Sequence, residues 1–441
     1  MIKKLFLLLF LPFSVFSQHP TKCGTPFYIN NQSSFFKEAI NNSFINAKEW
    51  VNNNRKKLST DSILNVPVVV HIIHENSIEN LDDSLVYSQI EVLNRDFSRS
   101  NSDTINMRSV FDTIAAPASI QFYLATIDPN GNPTNGITRT FTNESSFIDF
   151  NLTLDLMKDD ATGGVDAWPV DKYLNIWVCD LSFNVFGQSI PAILGYAYPP
   201  AGLSNWPQGS SPTNPNFDGV VIHYEVFGRN NPYSSVNQLG TTISANMGRT
   251  CVHEVGHYLG LRHIWGDGDC SADDGLLDTP IAIDQSQFDC DSTKNSCVDF
   301  SYDFPDMIEN YMDYSSEECQ NTFTRDQVDL MYAVLINDRY DLINNNMIST
   351  NVETNLEYIN ISFLPNPVSD FVQISLVTQK KVNNLEIKLI DISGRVLLKK
   401  NNKNIYGNHK IKLDVKNIKT GVYFLQTNID EKINTSTIFI K

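Results

Sequence analysis

After residue 17 no segment approaches twenty consecutive apolar residues, so nothing later in the chain is long enough to span a bilayer as a helix. Positive charge is also scarce, with 33 Lys and Arg against 50 Asp and Glu and a formal net charge of -17. That balance argues against nucleic acid and an anionic membrane surface as partners. The acidity is local: residues up to 355 hold 20 basic and 43 acidic side chains, and those after hold 13 and 7, so it belongs to the central part. Histidine is sparse, eight in 441 residues. The seven cysteines are an odd number, which leaves at least one thiol unpaired even where export permits disulfides. The hydrophobic fraction of 41% is ordinary, and the length allows two or three domains with a sizeable core.

Three of the eight histidines fall in residues 250–265, Thr-Cys-Val-His-Glu-Val-Gly-His-Tyr-Leu-Gly-Leu-Arg-His-Ile-Trp. His253 and His257 are four apart, so on a helix their imidazoles share one face and can ligate one ion. Glu254 is placed to reach a water at that ion without binding the ion itself. Gly260 can take a left-handed conformation, end the helix and turn the chain so that His263 supplies a third nitrogen. Three imidazoles with one position open describe a catalytic zinc site, whereas a structural site is closed by four protein ligands. A helix with unrelated surface histidines would leave this spacing to chance. The stretch resembles the extended zinc signature of the metzincin peptidases.

Taken in order, residues 1–17 carry Lys3 and Lys4, an apolar run, and Val15 and Ser17 at small-residue positions, the pattern of a secretory signal peptide. Residues 18–57 are polar and Asn-rich, with a helical pattern around 35–51 and a basic end at Arg55, Lys56 and Lys57 suited to proteolytic cleavage. They read as a pro-segment. It contains Cys23, distant in sequence from every other cysteine. A thiolate is a good zinc ligand, so Cys23 can fill the open position until the segment is removed, similar to the cysteine-switch latency of metzincins. The alternative is a free or incidentally paired cysteine near the terminus.

Residues 58–345 read as a mixed α/β domain. Residues 66–74 are near-continuously apolar and β-branched, a buried central strand. Residues 84–97 have helical apolar spacing. Residues 119–127, 173–181 and 219–226 read as further strands, with one strand just before the zinc helix as the cleft edge to which an extended substrate could add. His223 reads as a strand histidine. The Pro-, Gly- and Asn-rich residues 189–216 read as a long surface loop, and the zinc helix as about 247–260. The acidic loop 266–280 suits a hard cation such as calcium, although its spacing is not that of an EF-hand and a solvated acidic loop is the alternative. Met312, in Glu-Asn-Tyr-Met-Asp-Tyr some fifty residues beyond His263, resembles the metzincin Met-turn, an apolar floor under the metal. Tyr314 could aim its phenol at an oxyanion.

The wording of residues 253–265, 278–280 and 310–323 resembles one metzincin branch, the pappalysin family, and within it the short bacterial and archaeal ulilysin- and cytophagalysin-like members. The resemblance covers about residues 66–343. It implies two subdomains around an active-site cleft with bound calcium, for which Asp274, the Leu277 carbonyl and Thr279 are the candidates. It implies disulfides Cys270 with Cys297 and Cys290 with Cys319. Cys179 and Cys251 are then buried thiols or a third pair. Glu317 falls where the family places an acid near the first primed pocket, which implies Arg or Lys after the cut bond.

Residues 346–358 read as a linker, and 359–441 as short strands with turns, a small all-β sandwich. Phe-Leu-Pro-Asn-Pro at 363–367, Ile-Ser-Gly-Arg at 392–395 and Gly-Val-Tyr-Phe at 421–424 resemble the C-terminal sorting domain of type IX secretion. That implies the secretion machinery as a partner and passage across the outer membrane of a Gram-negative bacterium. A carbohydrate- or surface-binding appendage is the alternative. The expectation is a secreted, latent metalloendopeptidase acting on proteins or peptides, with zinc on His253, His257 and His263 and Glu254 as general base. The rival is a non-catalytic secreted adhesin that retains the metzincin fold.

Overall fold

The run Val-Pro-Val-Val-Val-His-Ile-Ile-His needs cover on both faces, and in the computed structural model it lies inside a seven-stranded sheet. The structure describes residues 21–54, 63–148, 153–185, 188–201, 215–238, 241–283, 286, 288–298, 303–344, 359–364, 368–391, 395–429 and 432–440. The leader, the basic cluster Arg55 to Lys57, the linker, and the Pro365-Asn366-Pro367 and Ser393-Gly394 motifs lie outside the described residues.

The site is framed by β1 (Thr21–Cys23), α1 (Thr25–Asn30), α2 (Ser34–Asn54), β2 (Leu64–His74), α3 (Asp83–Phe97), β3 (Ile120–Leu124), β4 (Ile137–Phe141), β5 (Leu174–Cys179), β6 (Ile193–Ala197), β7 (Val220–His223), α4 (Arg249–Tyr258) and α5 (Arg325–Ile336). The sheet order is β1-β6-β7-β5-β2-β3, with β4 also pairing β2. All pairs are parallel except β6 with β7. Helix α3 starts where the Asp82 side chain accepts from Ser84 N. It buries Val86, Ile90, Leu93 and Phe97 at helical spacing, each side chain contributing about 1.5–3 kcal/mol on leaving water. Phe97 meets Phe122 of β3 edge-on at 4.9 Å, which docks the helix on the sheet. Helix α5 opens with a capping box between Thr324 and Gln327.

Two expectations are corrected. Residues 189–216 are not one loop: the apolar stretch Ile193–Ala197 forms β6, fully buried at every position, because its neighbours β1 and β7 supply backbone partners on both sides. The strand beside the metal centre is therefore β6, while β7 is internal and residues 224–226 leave it as a 3-10 turn. His223 is a strand histidine whose Nδ1 accepts from Leu181 N at 3.1 Å; burial pulls its pKa down to about 4 and keeps it neutral.

Beyond α5 the chain forms β8 (Ile359–Leu364), β9 (Phe371–Asp391), β10 (Val396–Asp414), β11 (Gly421–Ile429) and β12 (Lys432–Ile440). Two of these strands, of 21 and 19 residues, are longer than the short strands expected from the sequence pattern. A register shift between Thr378 and Val382 separates a half of β9 paired with β8 from a half paired with β11. Val372, Ile374 and Leu376 of one half share a buried cluster with Leu385, Ile387 and Leu389 of the other, as in a small β-sandwich.

Candidate metal centre

Helix α4 is buried at every residue, and so is His263 beyond it, so His253, His257 and His263 must be satisfied inside the protein. His253 Nδ1 lies 2.7 Å from Tyr311 O, His257 Nδ1 2.8 Å from Leu261 O, and His263 Nδ1 2.7 Å from an Asp267 carboxylate oxygen. Each oxygen accepts a hydrogen bond from Nδ1–H, and in that tautomer Nε2 carries a free lone pair. The three Nε2 atoms converge at separations of 3.1–3.2 Å. No proton is left to bridge them, so they repel unless a cation sits between them. Those separations are close to the edges of a tetrahedron with bonds of about 2.0–2.1 Å, which fits zinc. Burial and mutual repulsion push His253 and His257 well below the usual histidine range.

The chain reaches His263 through Gly260, at φ +95°, a conformation that carries a steric cost for other residues. Beneath the helix lies Met312, fully buried, its N–H donating to Asn310 Oδ1. A Cβ on Gly256 would meet the Met312 sulfur at 2.5 Å, so this glycine lets the helix lie on the methionine. Tyr314 packs against His263 and His253, ring centroids 4.9 and 5.6 Å apart, and its hydroxyl donates to Cys23 O at 3.1 Å.

The fourth corner is filled from the N-terminal segment. Cys23 Sγ lies within 4.8 Å of all three histidine ligand atoms. It donates to Glu254 Oε2 at 3.3 Å and accepts from Thr25 N at 3.3 Å. Burial and the neighbouring Glu254 carboxylate raise the thiol well above its ordinary pKa, a balance that a cation in the site would reverse. Glu254 is itself buried and pushed up to about 8, and its Oε1 has no hydrogen-bond partner. Lys22 is fully enclosed and donates to Ser315 O at 3.1 Å and Asp313 O at 3.5 Å; burial lowers its ammonium to about 8.

Residues 230–336 match a peptidase family described as pregnancy-associated plasma protein-A. Mature mirolysin of Tannerella forsythia, solved with a cleaved peptide, is 40% identical with a TM-score of 0.54, and the match covers 64% of this chain and 96% of that one. A promirolysin mutant from the same organism is 36% identical with a TM-score of 0.58, over 73% of this chain and 97% of that one. This chain belongs to the pregnancy-associated plasma protein-A family of metallopeptidases. The larger share matched in the pro-form accords with a propeptide-like N-terminal region here. An extracellular metalloprotease of Pyricularia oryzae is 27% identical over 276 residues, 60% of this chain and 73% of that protein. One from Arthroderma otae is 42% identical over 89 residues, 20% of this chain. The chain spans about a third of the length of the first curated relatives it matches. Residues 362–441 match a secretion system C-terminal sorting domain. Among the described residues no helix is long and apolar enough to cross a membrane.

Around this metallopeptidase centre, two disulfides tie the loops after His263 together, Cys270–Cys297 and Cys290–Cys319, while Cys179 and Cys251 are buried and unpaired. Asp274 is buried, with Oδ1 accepting from Thr279 Oγ1 at 2.7 Å and Leu276 N at 2.9 Å and Oδ2 without a partner. Desolvation raises it to about 7 and Asp278 to about 6. The Leu277 side chain is 91% exposed, so only its backbone could serve a cation. Glu317 is placed differently from a free pocket acid. Its oxygens accept from Met247 N at 2.7 Å, Thr250 N at 2.8 Å and Thr250 Oγ1 at 3.2 Å, satisfying one orphan backbone donor in the first turn of α4 and the backbone just before it. Sequence reasoning missed Thr25, whose hydroxyl lies 3.3 Å from Glu254 Oε2, the role of Asp267 behind His263, and β6. The apolar run 192–197 inside a turn-rich stretch was the available signal for β6.

Proposed function

We propose that the chain is an exported zinc endopeptidase kept latent by its own N-terminal segment. On this reading residues 1–17 are the signal peptide, 18–57 the pro-segment, 58–345 the catalytic domain, 346–358 the linker and 359–441 the sorting domain. The observation that carries it is the convergence of three proton-free Nε2 atoms beside a buried carboxylate with one unpartnered oxygen. Zinc held by His253, His257 and His263 would polarise the scissile carbonyl and make water a competent nucleophile near neutral pH. Glu254, buried beside the histidines, takes the attacking water's proton as the carboxylate and hands it to the leaving amine. Tyr314, freed of the Cys23 carbonyl, donates to the developing oxyanion. Cys23 is the blocking ligand.

Lys22 supports a preference for Arg or Lys after the cut bond. Its buried ammonium is held by the carbonyls of Asp313 and Ser315, with Glu317 the largest favourable charge near it. Asp274, the Leu277 carbonyl and Thr279 are the calcium ligands on this reading, since a buried carboxylate with an unpartnered oxygen beside the Thr279 hydroxyl suits a hard cation. The sorting domain hands the protein to type IX secretion machinery. In the processed protein Glu254→Ala should retain zinc by metal analysis yet lose at least about 10²–10⁴-fold in cleavage of casein or basic peptides. Undiminished cleavage would remove Glu254 as the base, and processed wild-type protein that binds zinc but cleaves nothing, with or without chelator, would favour the adhesin.

A further inference from the structure

The N-terminal segment reaches past the metal. Strand β1 pairs in parallel with β6, Thr21 opposite Ile193 and Cys23 opposite Gly195, so the chain crosses the metal centre at Gly195 and continues toward Tyr196 and Tyr198. There Tyr28 of α1 is 2% exposed. Its ring lies 4.5 Å from that of Tyr198 and 5.9 Å from that of Tyr196, the latter stacked at 28°, and Phe36 of α2 closes over it edge-on at 6.1 Å.

The two receiving tyrosines are fixed by partners outside the segment. Tyr196 Oη donates to Asp155 Oδ1 at 2.9 Å and accepts from Asp155 N at 3.0 Å, and Tyr198 Oη donates to Asp155 Oδ2 at 3.3 Å. Asp155 is in turn paired with the buried Lys158 at 2.8 Å. Lys158 Nζ also donates to Phe217 O at 2.8 Å and lies 4.7 and 4.3 Å from the Tyr196 and Tyr198 ring centroids. The partners that orient the two rings thus all lie outside the segment and do not depend on Tyr28, which suits a pre-formed binding site.

We propose that Tyr196 and Tyr198, pinned by Asp155 and Lys158, form a substrate subsite for an aromatic side chain on the N-terminal side of the cut bond, and that Tyr28 occupies it in the latent protein. The inference rests on the peptidase reading. Loss of the segment would expose β6 as a sheet edge and the aromatic floor together, so one extended peptide can use both. On the peptidase reading Lys22, opposite the other end of β6, lies on the C-terminal side of the cut, and a peptide that runs antiparallel to β6 carries its N-terminal residues toward Tyr198. Gly195 and Tyr198 are three residues apart, about 10 Å at roughly 3.3 Å per residue, which sets the aromatic residue about two to four positions before the cut.

The test uses the full chain after removal of the segment and paired peptides that carry Tyr, Phe or Ala at those positions. The aromatic peptides should show about three- to tenfold higher kcat/KM at one of them. Tyr198→Ala should collapse that ratio to about one and Tyr198→Phe should keep it. Because the ratio is taken within one enzyme preparation, partial misfolding of a variant cancels. A synthetic peptide of residues 21–30 should inhibit the processed protein, and its Tyr28→Ala form should inhibit about three- to tenfold less well. Equal rates for Ala and aromatic peptides at every position, or an aromatic preference that survives Tyr198→Ala, would overturn the subsite while leaving the peptidase standing. Failure to cleave any peptide would overturn the peptidase reading and the subsite with it.

Discussion

Two segments meet at the metal centre and are built in opposite ways. The stretch from Arg249 to His263 is local: its ligands lie within eleven residues, and three Nδ1 hydrogen bonds lock each ring. The N-terminal segment reaches the same point from more than 200 residues away. It is held there by Cys23, by Lys22 on two carbonyls, by a short parallel strand, by Tyr28 among tyrosines, and by α2 through Trp50 against Tyr332 and Arg262 over Phe44. On the latent-enzyme reading proposed above, the first half is permanent, while the second is a set of separate contacts that one cut upstream of β2 would release. Occlusion of this kind can be strong and still be undone by a single hydrolysis.

The sharpest way to break the comparison is to remove the sulfur that the N-terminal segment places beside the three histidines. Cys23→Ala in the uncut protein should leave the segment docked through its remaining contacts but weaken it. A lost contact worth about 1.4–2.8 kcal/mol raises the open fraction about 10- to 100-fold. Peptide cleavage by uncut protein, with a gel to show that it is uncut, reads this directly, and unchanged latency would refute Cys23 as the blocking ligand.

A smaller effect concerns the permanent half alone. Glu317→Ala strips three hydrogen bonds from the start of α4, and loss of a cap of this kind costs about 0.5–2 kcal/mol. The variant should show a lower Tm in both the uncut and the cut protein. A change in residue preference after the cut with no change in Tm would assign Glu317 to the pocket instead.

The smallest effect is set by pH and sharpens which half calcium would serve. Burial raises Asp274 to about 7 and Asp278 to about 6. Such groups favour the folded state when protonated, and that contribution is lost as pH rises from the ordinary carboxylate range through those values. Chelated protein should therefore be less stable at pH 8 than at pH 5, and added calcium should raise Tm more at pH 8. A calcium response of equal size at both pH values would count against these two carboxylates.

How much was legible follows the same division. The spacing of His253, His257, Gly260 and His263 can be read directly because a helix converts sequence distance into spatial distance without help from the rest of the chain. Met312 was legible only through its resemblance to a known turn, since nothing in the intervening residues says that it returns beneath Gly256. Strand β6 was hidden because its flanks, 188–191 and 198–200, carry the prolines and polar residues of a loop, and its backbone partners come from β1 and β7, both distant in sequence. Glu317 was located by resemblance, but its commitment to the N-terminus of α4 could not be read from its own neighbours.

The sequence by itself determined which side chains can hold a metal, that a glutamate stands beside them, and that a cysteine is available in a separable N-terminal segment. These are matters of residue type and short-range spacing. Only the tertiary structure decided that Cys23 enters beside the three histidines, that Lys22 packs on the carbonyls of Asp313 and Ser315, and that Tyr28 packs on Tyr196 and Tyr198. Those facts depend on β1 adding to β6 in parallel, a pairing across about 170 residues that no local pattern encodes.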